Sequence, residues 1–181
     1  MFKLFDMEEE NKFSWESLGN IEKGRKNMGI NMPVYIYRLF QFTIKNELIR
    51  QFGNEKTIEI FRNAGKIAGI EFANNVLNIN LPTDEFLAHL QTSLEENSLG
   101  ILRIEKFDLV TGSIIFTVSE DVDCSGLPVT GDTVCNYDEG FLAGILEAYT
   151  KREYDVLEID CWATGSRVCR FIGNVRLKNE E

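Results

Sequence analysis

The stretch GFLAGILEAYTKREYDVLEIDCWATGSRVCRFIGN, residues 140–174, changes its period halfway along. Its first part keeps Phe141, Leu142, Ile145, Leu146 and Tyr149 at helical spacing, and Gly140 and Gly144 leave one side thin, so the pattern predicts a helix over 137–151. From Tyr154 the spacing shortens to two. YDVLEIDCWA and SRVCRFIGNVRL read as strands joined around Thr164 and Gly165. A helix that runs directly into a hairpin, without regular strand–helix–strand alternation around it, points to an α+β domain with an antiparallel sheet packed with helices.

Working outward, the same short period appears upstream over 101–110 and 112–120, where SIIFTVSE alternates β-branched and aromatic residues with polar ones. These are two adjacent antiparallel strands. Between them and the 137–151 helix, DVDCSGLPVTGDTVCN is a loop by its Asp, Gly, Pro and Thr content. Three helical patterns precede the first hairpin. PVYIYRLFQFTIKNELIRQF starts at Pro33, ends near Gly53 and is apolar on more than one face. NEKTIEIFRNAGKIAGIEFANNVL follows from Asn54 as a cap, and Gly65 and Gly69 thin one of its sides, for helix packing or for close approach of a ligand. A third runs over 83–96, with Asp84 and Glu85 in the first turn where they complement the helix dipole. His89, the single histidine, reads as an ordinary surface residue of that helix.

Residues 33–181 therefore make one domain, preceded by an arm over 1–32. The arm is charged, yet Phe2, Leu4, Phe5, Phe13, Trp15 and Leu18 give it apolar surface that needs a neighbouring subunit or the domain body to lie on. Nineteen basic against twenty-nine acidic side chains leave a net charge of -10, which argues against direct binding of nucleic acid. No run has the length of a membrane span, and the start MFKLFDMEEENKF turns acidic before a signal-peptide core forms, so a soluble cytoplasmic protein is expected.

In such a compartment four cysteines read as free thiols or metal ligands. Cys161 and Cys169 lie on opposite arms of the terminal hairpin, and Cys135 stands just before the preceding helix, whose free N–H groups favour a thiolate. Glu158 adds a carboxylate. Positions 158 and 161 face opposite sides of a regular strand, so both reach one ion only if the strand bulges near Asp160, which is itself a rival oxygen donor. Three thiols and a carboxylate suit a tetrahedral Zn²⁺ site of the closed, structural kind; three unconnected thiols are the alternative. Cys124, in the loop, is either an ordinary semi-buried thiol or a ligand exchanged with Glu158 or Cys135.

The string over 140–174, with an acidic residue, a cysteine three positions on and another eight beyond before Arg170–Phe171, resembles the 4-vinyl reductase domain family, and a more diffuse likeness extends upstream to about residue 35. The resemblance implies an α+β fold similar to that of vesicle-tethering subunits of the TRAPP type, a tendency to form homodimers, and one zinc per chain on Cys135, Glu158, Cys161 and Cys169. It also implies a role in binding a small hydrophobic or aromatic molecule. An apolar pocket walled by Phe40, Phe61, Phe72, Phe107, Phe116, Phe141, Tyr149 and Trp162 is the corresponding expectation, with ordinary core as its rival. The alternatives are a reductase or reductase accessory acting on a tetrapyrrole vinyl group, and a protein-interaction adaptor. No dinucleotide fingerprint follows a strand, and the sequence assigns no catalytic residue. Zinc and iron both suit the donors.

Overall fold

The computed structural model describes residues 13–176, so the part of the arm carrying Phe2, Leu4 and Phe5, and the last strand pattern from Leu177 onward, lie outside the described residues. The described arm forms a 3-10 turn, Trp15–Leu18, and the short helix α1, Ile21–Gly24, neither with a buried residue. The Trp15 N–H donates to Glu71 Oε2 at 2.7 Å, which ties the arm to its own domain.

Helix α2, Val34–Phe52, begins after Pro33, whose extended backbone ends the arm and whose missing N–H is no loss at a helix start. Gly53, at φ 80°, lets the chain turn sharply into α3, Asn54–Asn75; a side chain would be strained in that left-handed region. Helix α4 spans Thr83–Glu96. Strands β1, Ile101–Asp108, and β2, Ser113–Ser119, follow, then α5, Asn136–Thr150, β3, Tyr154–Asp160, and β4, Cys169–Val175.

The two hairpins join through β2 and β4 into one antiparallel sheet of order β1-β2-β4-β3. Across the join Phe116 pairs with Phe171 and Val118 with Cys169. Alternation puts Ile114, Phe116 and Val118 of β2, and Val156 and Glu158 of β3, on the inner face. Phe86 and Leu90 of α4 and Ile145 and Leu146 of α5 cover that face and are fully buried with Phe116 and Phe171. Each such side chain contributes roughly 1.5–3 kcal/mol by leaving water. Phe86 lies flat on Tyr149, ring centroids 3.8 Å apart.

Helix α3 forms an outer layer on α5, and here glycine decides the packing. A Cβ on Gly65 or Gly69 would collide with the carbonyl of Tyr137 or Phe141, and one on Gly140 or Gly144 with the carbonyl of Arg62 or Lys66. The two glycine pairs interlock, so Gly65 and Gly69 serve helix packing. Helix α2 differs from the rest: none of its residues is buried, and Tyr35, Leu39, Phe40 and Phe52 are mostly exposed.

Candidate metal centre

Four chain segments bring one thiol each to the inner edge of the sheet. Cys135 caps the start of α5, Cys161 follows β3, Cys169 opens β4, and Cys124 sits in the turn after β2. All four are free and buried. Their Sγ atoms lie within 4.8 Å of one another: Cys124 to Cys169 at 3.0 Å, and Cys135 to Cys161 and to Cys169 at 3.8 Å. A tetrahedral ion with Zn–S bonds of about 2.3 Å needs S···S edges of about 3.8 Å, so the donors fit a metal in both chemistry and spacing. Hydrogen bonding with Cys124, and then among the others, holds the Cys161 thiol well below its usual range and pushes Cys135 and Cys169 up. Cys161 is the thiol most ready to bind as thiolate, and a metal displaces the protons of the rest.

Cys124 thus stands where the sequence reading put Glu158. The reason is tertiary: Val118 pairs with Cys169, and the turn over 121–125 folds back to set Cys124 beside that strand end. Asp121 Oδ1 shapes the turn by accepting the N–H groups of Asp123 and Cys124 at 2.8 and 3.1 Å. Helix α2 then clamps it. Arg38 donates to the carbonyls of Val122, Ser125 and Asp121, while Tyr37 and Gln41 donate to the two oxygens of Asp123 at 2.8 and 2.7 Å.

Glu158 still faces the centre, because the register of β3 against β4 shifts between Glu158 and Asp160, the bulge that the strand geometry required. Its Oε2 accepts the Cys135 N–H at 3.0 Å and its Oε1 is buried without a partner. Burial, then the charge of Cys161, raises its carboxyl to about 8. Glu139, almost wholly buried, holds this residue in place: its Oε1 accepts the Glu158 N–H at 2.9 Å, and its Oε2 accepts from Arg62 at 2.5 Å and Asn136 at 3.3 Å. Lys45 brings a cation to the same region, donating to Val134 O and Asn136 Oδ1, each at 3.0 Å. Burial lowers its ammonium and the charge of Cys135 opposes that shift.

Beside the centre lies an apolar pocket enclosing about 470 Å³, open mouth included, between Tyr37, Leu94, Leu99, Val118, Phe141 and Leu142. Asp121 and Asp138 form its polar end, and one oxygen of each lies within 4.8 Å of Cys135 Sγ. Burial raises the Asp121 carboxyl to about 7 and that of Asp138 well above its ordinary value. Sequence reading missed both carboxylates and Tyr37, since nothing in their spacing marks them.

The eight aromatic residues expected in one pocket do not converge. Phe72 and Phe116 belong to the core, Phe107 stacks on Phe116, and Tyr149 packs on Phe86 with its hydroxyl near Leu81 O and Thr83 Oγ1. Trp162 packs against the core and donates from Nε1 to Leu127 O at 3.0 Å. Phe40 and Phe61 line an outer groove between α2 and α3, which leaves Phe141 beside the centre. Helical and strand periods tell which face a ring occupies, not which faces meet.

The family model of the vinyl-4-reductase domain matches residues 114–175, the sheet strands and α5 that carry these thiols. The uncharacterized protein MJ0150 of Methanocaldococcus jannaschii is 25% identical over 163 residues, covering 90% of this chain and 87% of that protein. Among solved structures, a vinyl-4-reductase family protein from the same organism superposes with a TM-score of 0.60 at 18% identity, over 91% of this chain and 98% of the other. The phenol-responsive sensory domain of the transcription activator PoxR, solved with phenol, gives 0.58 at 16% identity, over 81% and 76%. A trafficking protein particle complex subunit 3 from Naegleria fowleri, covalently bound to palmitic acid, gives 0.57 at 9%, over 81% and 99%. The α+β fold expected from the sequence is the one these structures share.

Proposed function

We propose that this chain, a member of the vinyl-4-reductase domain family, is a small-molecule-binding module in which a metal held by the cysteine cluster fixes the wall of an apolar pocket. The observation that carries the reading is the shared wall: Asp121 and Asp138 line the pocket and meet Cys135 of the thiol cluster. Fixing the 121–125 turn to β4 and to the start of α5 keeps that wall in place. Zinc or iron bound there supplies folding free energy and holds the thiols deprotonated. Burial of an apolar ligand against Leu94, Val118, Phe141 and Leu142 provides the affinity. The fold precedent supports this, since two neighbours of the same fold carry phenol and palmitic acid. Four reduced thiols suit a reducing compartment, the cytoplasm. Among the described residues no helix is long and apolar enough to cross a membrane.

Native mass spectrometry of gently purified protein tests the reading. One metal per chain with a retained hydrophobic molecule is the expected result; metal-free, ligand-free chains would remove it.

A second copy of the chain is the partner that suits α2. A helix of this length with no buried residue gains little from its own domain, and isolated helices are marginal in water. Leu39, Phe40 and Ile44, together with the arm residues Ile30 and Met32, give a continuous exposed apolar surface of the kind homodimers cover.

A further inference from the structure

Glu158 stands beside the thiols with an oxygen to spare. It is 3% exposed, its Oε1 has no hydrogen-bond partner, and its carboxyl lies in hydrogen-bonding contact with the thiols of Cys135 and Cys161. Buried carboxylate oxygens are seldom left unpaired, and this one is aimed at the place where a metal would sit. The four thiols, meanwhile, are not held alike. Cys135, Cys161 and Cys169 are anchored at the ends of α5, β3 and β4, whereas Cys124 depends on a turn secured from outside by Arg38, Tyr37 and Gln41. The same turn supplies Asp121 and Val122 to the pocket.

We infer that the centre has five protein donors for four positions: Cys124 completes the set in the arrangement seen here, and Glu158 replaces it when the 121–125 turn moves away. The inference rests on the metal reading above. The exchange needs no redox partner. The Cys124 thiolate leaves and takes a proton from solvent, and the Glu158 carboxylate enters with the charge it already carries. Because the turn is also a wall of the pocket, occupancy of the pocket and the choice of donor are linked, and each must bias the other.

Cobalt(II) alone is the probe, since its thiolate charge-transfer absorption counts sulfur ligands and its visible bands shift when oxygen replaces one. Wild type and Glu158→Gln are expected to give the same four-sulfur spectrum. Cys124→Ser should still bind one cobalt per chain, with charge-transfer intensity lower by a quarter, and Cys124→Ala should do the same without a hydroxyl to intervene. The double variant C124S/E158Q should bind at least about 10-fold more weakly than C124S. Arg38→Ala, which frees three carbonyls of the turn, should move the wild-type spectrum toward that of C124S. Far-UV circular dichroism reports that each variant is folded. A wild-type spectrum in C124S, a changed one in E158Q, or equal affinities of C124S and the double variant would overturn the exchange. An unmoved spectrum in Arg38→Ala would overturn the control by the turn. Failure of wild type to bind cobalt at all would instead sink the metal reading beneath it.

Discussion

Gly140 meets the carbonyl of Arg62 across the α3–α5 contact with no room for a methyl group, and the obstacle is backbone that cannot rotate away. Gly140→Ala is therefore expected to cost about 2–3 kcal/mol in urea denaturation, the upper range for overpacking, while Gly24→Ala, with nothing within 4 Å of its Cβ, should stay within about 0.5 kcal/mol of wild type. Equal midpoints for the two variants would mean the helices yield freely. Glu139 is the other residue on which much depends, because its carboxylate joins Arg62, Asn136 and the Glu158 N–H. Glu139→Ala leaves those donors without an acceptor in a largely buried place; the expected loss is about 2 kcal/mol, together with a roughly 10- to 100-fold fall in zinc affinity measured by chelator competition. Stability lost without any change in zinc affinity would separate Glu139 from the centre. At this scale the sequence told much about Cys135, Cys161 and Cys169, because a hairpin and a helix start are local features that aim their side chains. It told little about Cys124. A turn is aimed by what clamps it, and the clamp, Arg38 and Tyr37, lies more than eighty positions away along the chain.

Among the elements, the terminal hairpin should respond most to the metal. Trp162 follows Cys161 directly, opens the 3-10 turn Trp162–Thr164 and holds Leu127 O from the loop. In a Trp15→Phe background, removal of metal by a chelator is expected to shift Trp162 emission to longer wavelength as the ring gains water. Unchanged emission would show that the hairpin stands without metal. Zinc-loaded Cys161→Ser should melt several degrees below zinc-loaded wild type, and chelator should lower its midpoint no further, because a structural metal contributes folding free energy. The element boundaries were legible: α4 runs over the expected 83–96 and α2 starts just after Pro33. Pro, Gly and acidic first turns act within a few residues of themselves, which is why they can be read locally. The bulge in β3 was legible only as a condition, since Glu158 and Cys161 cannot both turn inward without it.

For the whole molecule, the open question is what covers α2. Leu39→Asp and Phe40→Asp put a charge on its exposed face without touching the core, so each should turn a dimer into a folded monomer in size-exclusion chromatography with light scattering. An unchanged dimer would locate the interface elsewhere, and a monomeric wild type would remove the second copy as its partner. The sequence by itself determined the order of helices and strands, the antiparallel α+β class, the thin helix sides at Gly65 and Gly69, and three of the thiols that gather at the sheet edge. Each of these follows from periodicity or from residues acting on their own neighbourhood. Only the tertiary structure decided that β2 joins β4, which carries Cys124 to Cys169, dispersed the expected aromatic wall into core and groove, and set Asp121 and Asp138 between pocket and thiols. Those outcomes depend on which faces meet, and the meeting of faces is settled by the packing of the entire chain rather than by any segment of it.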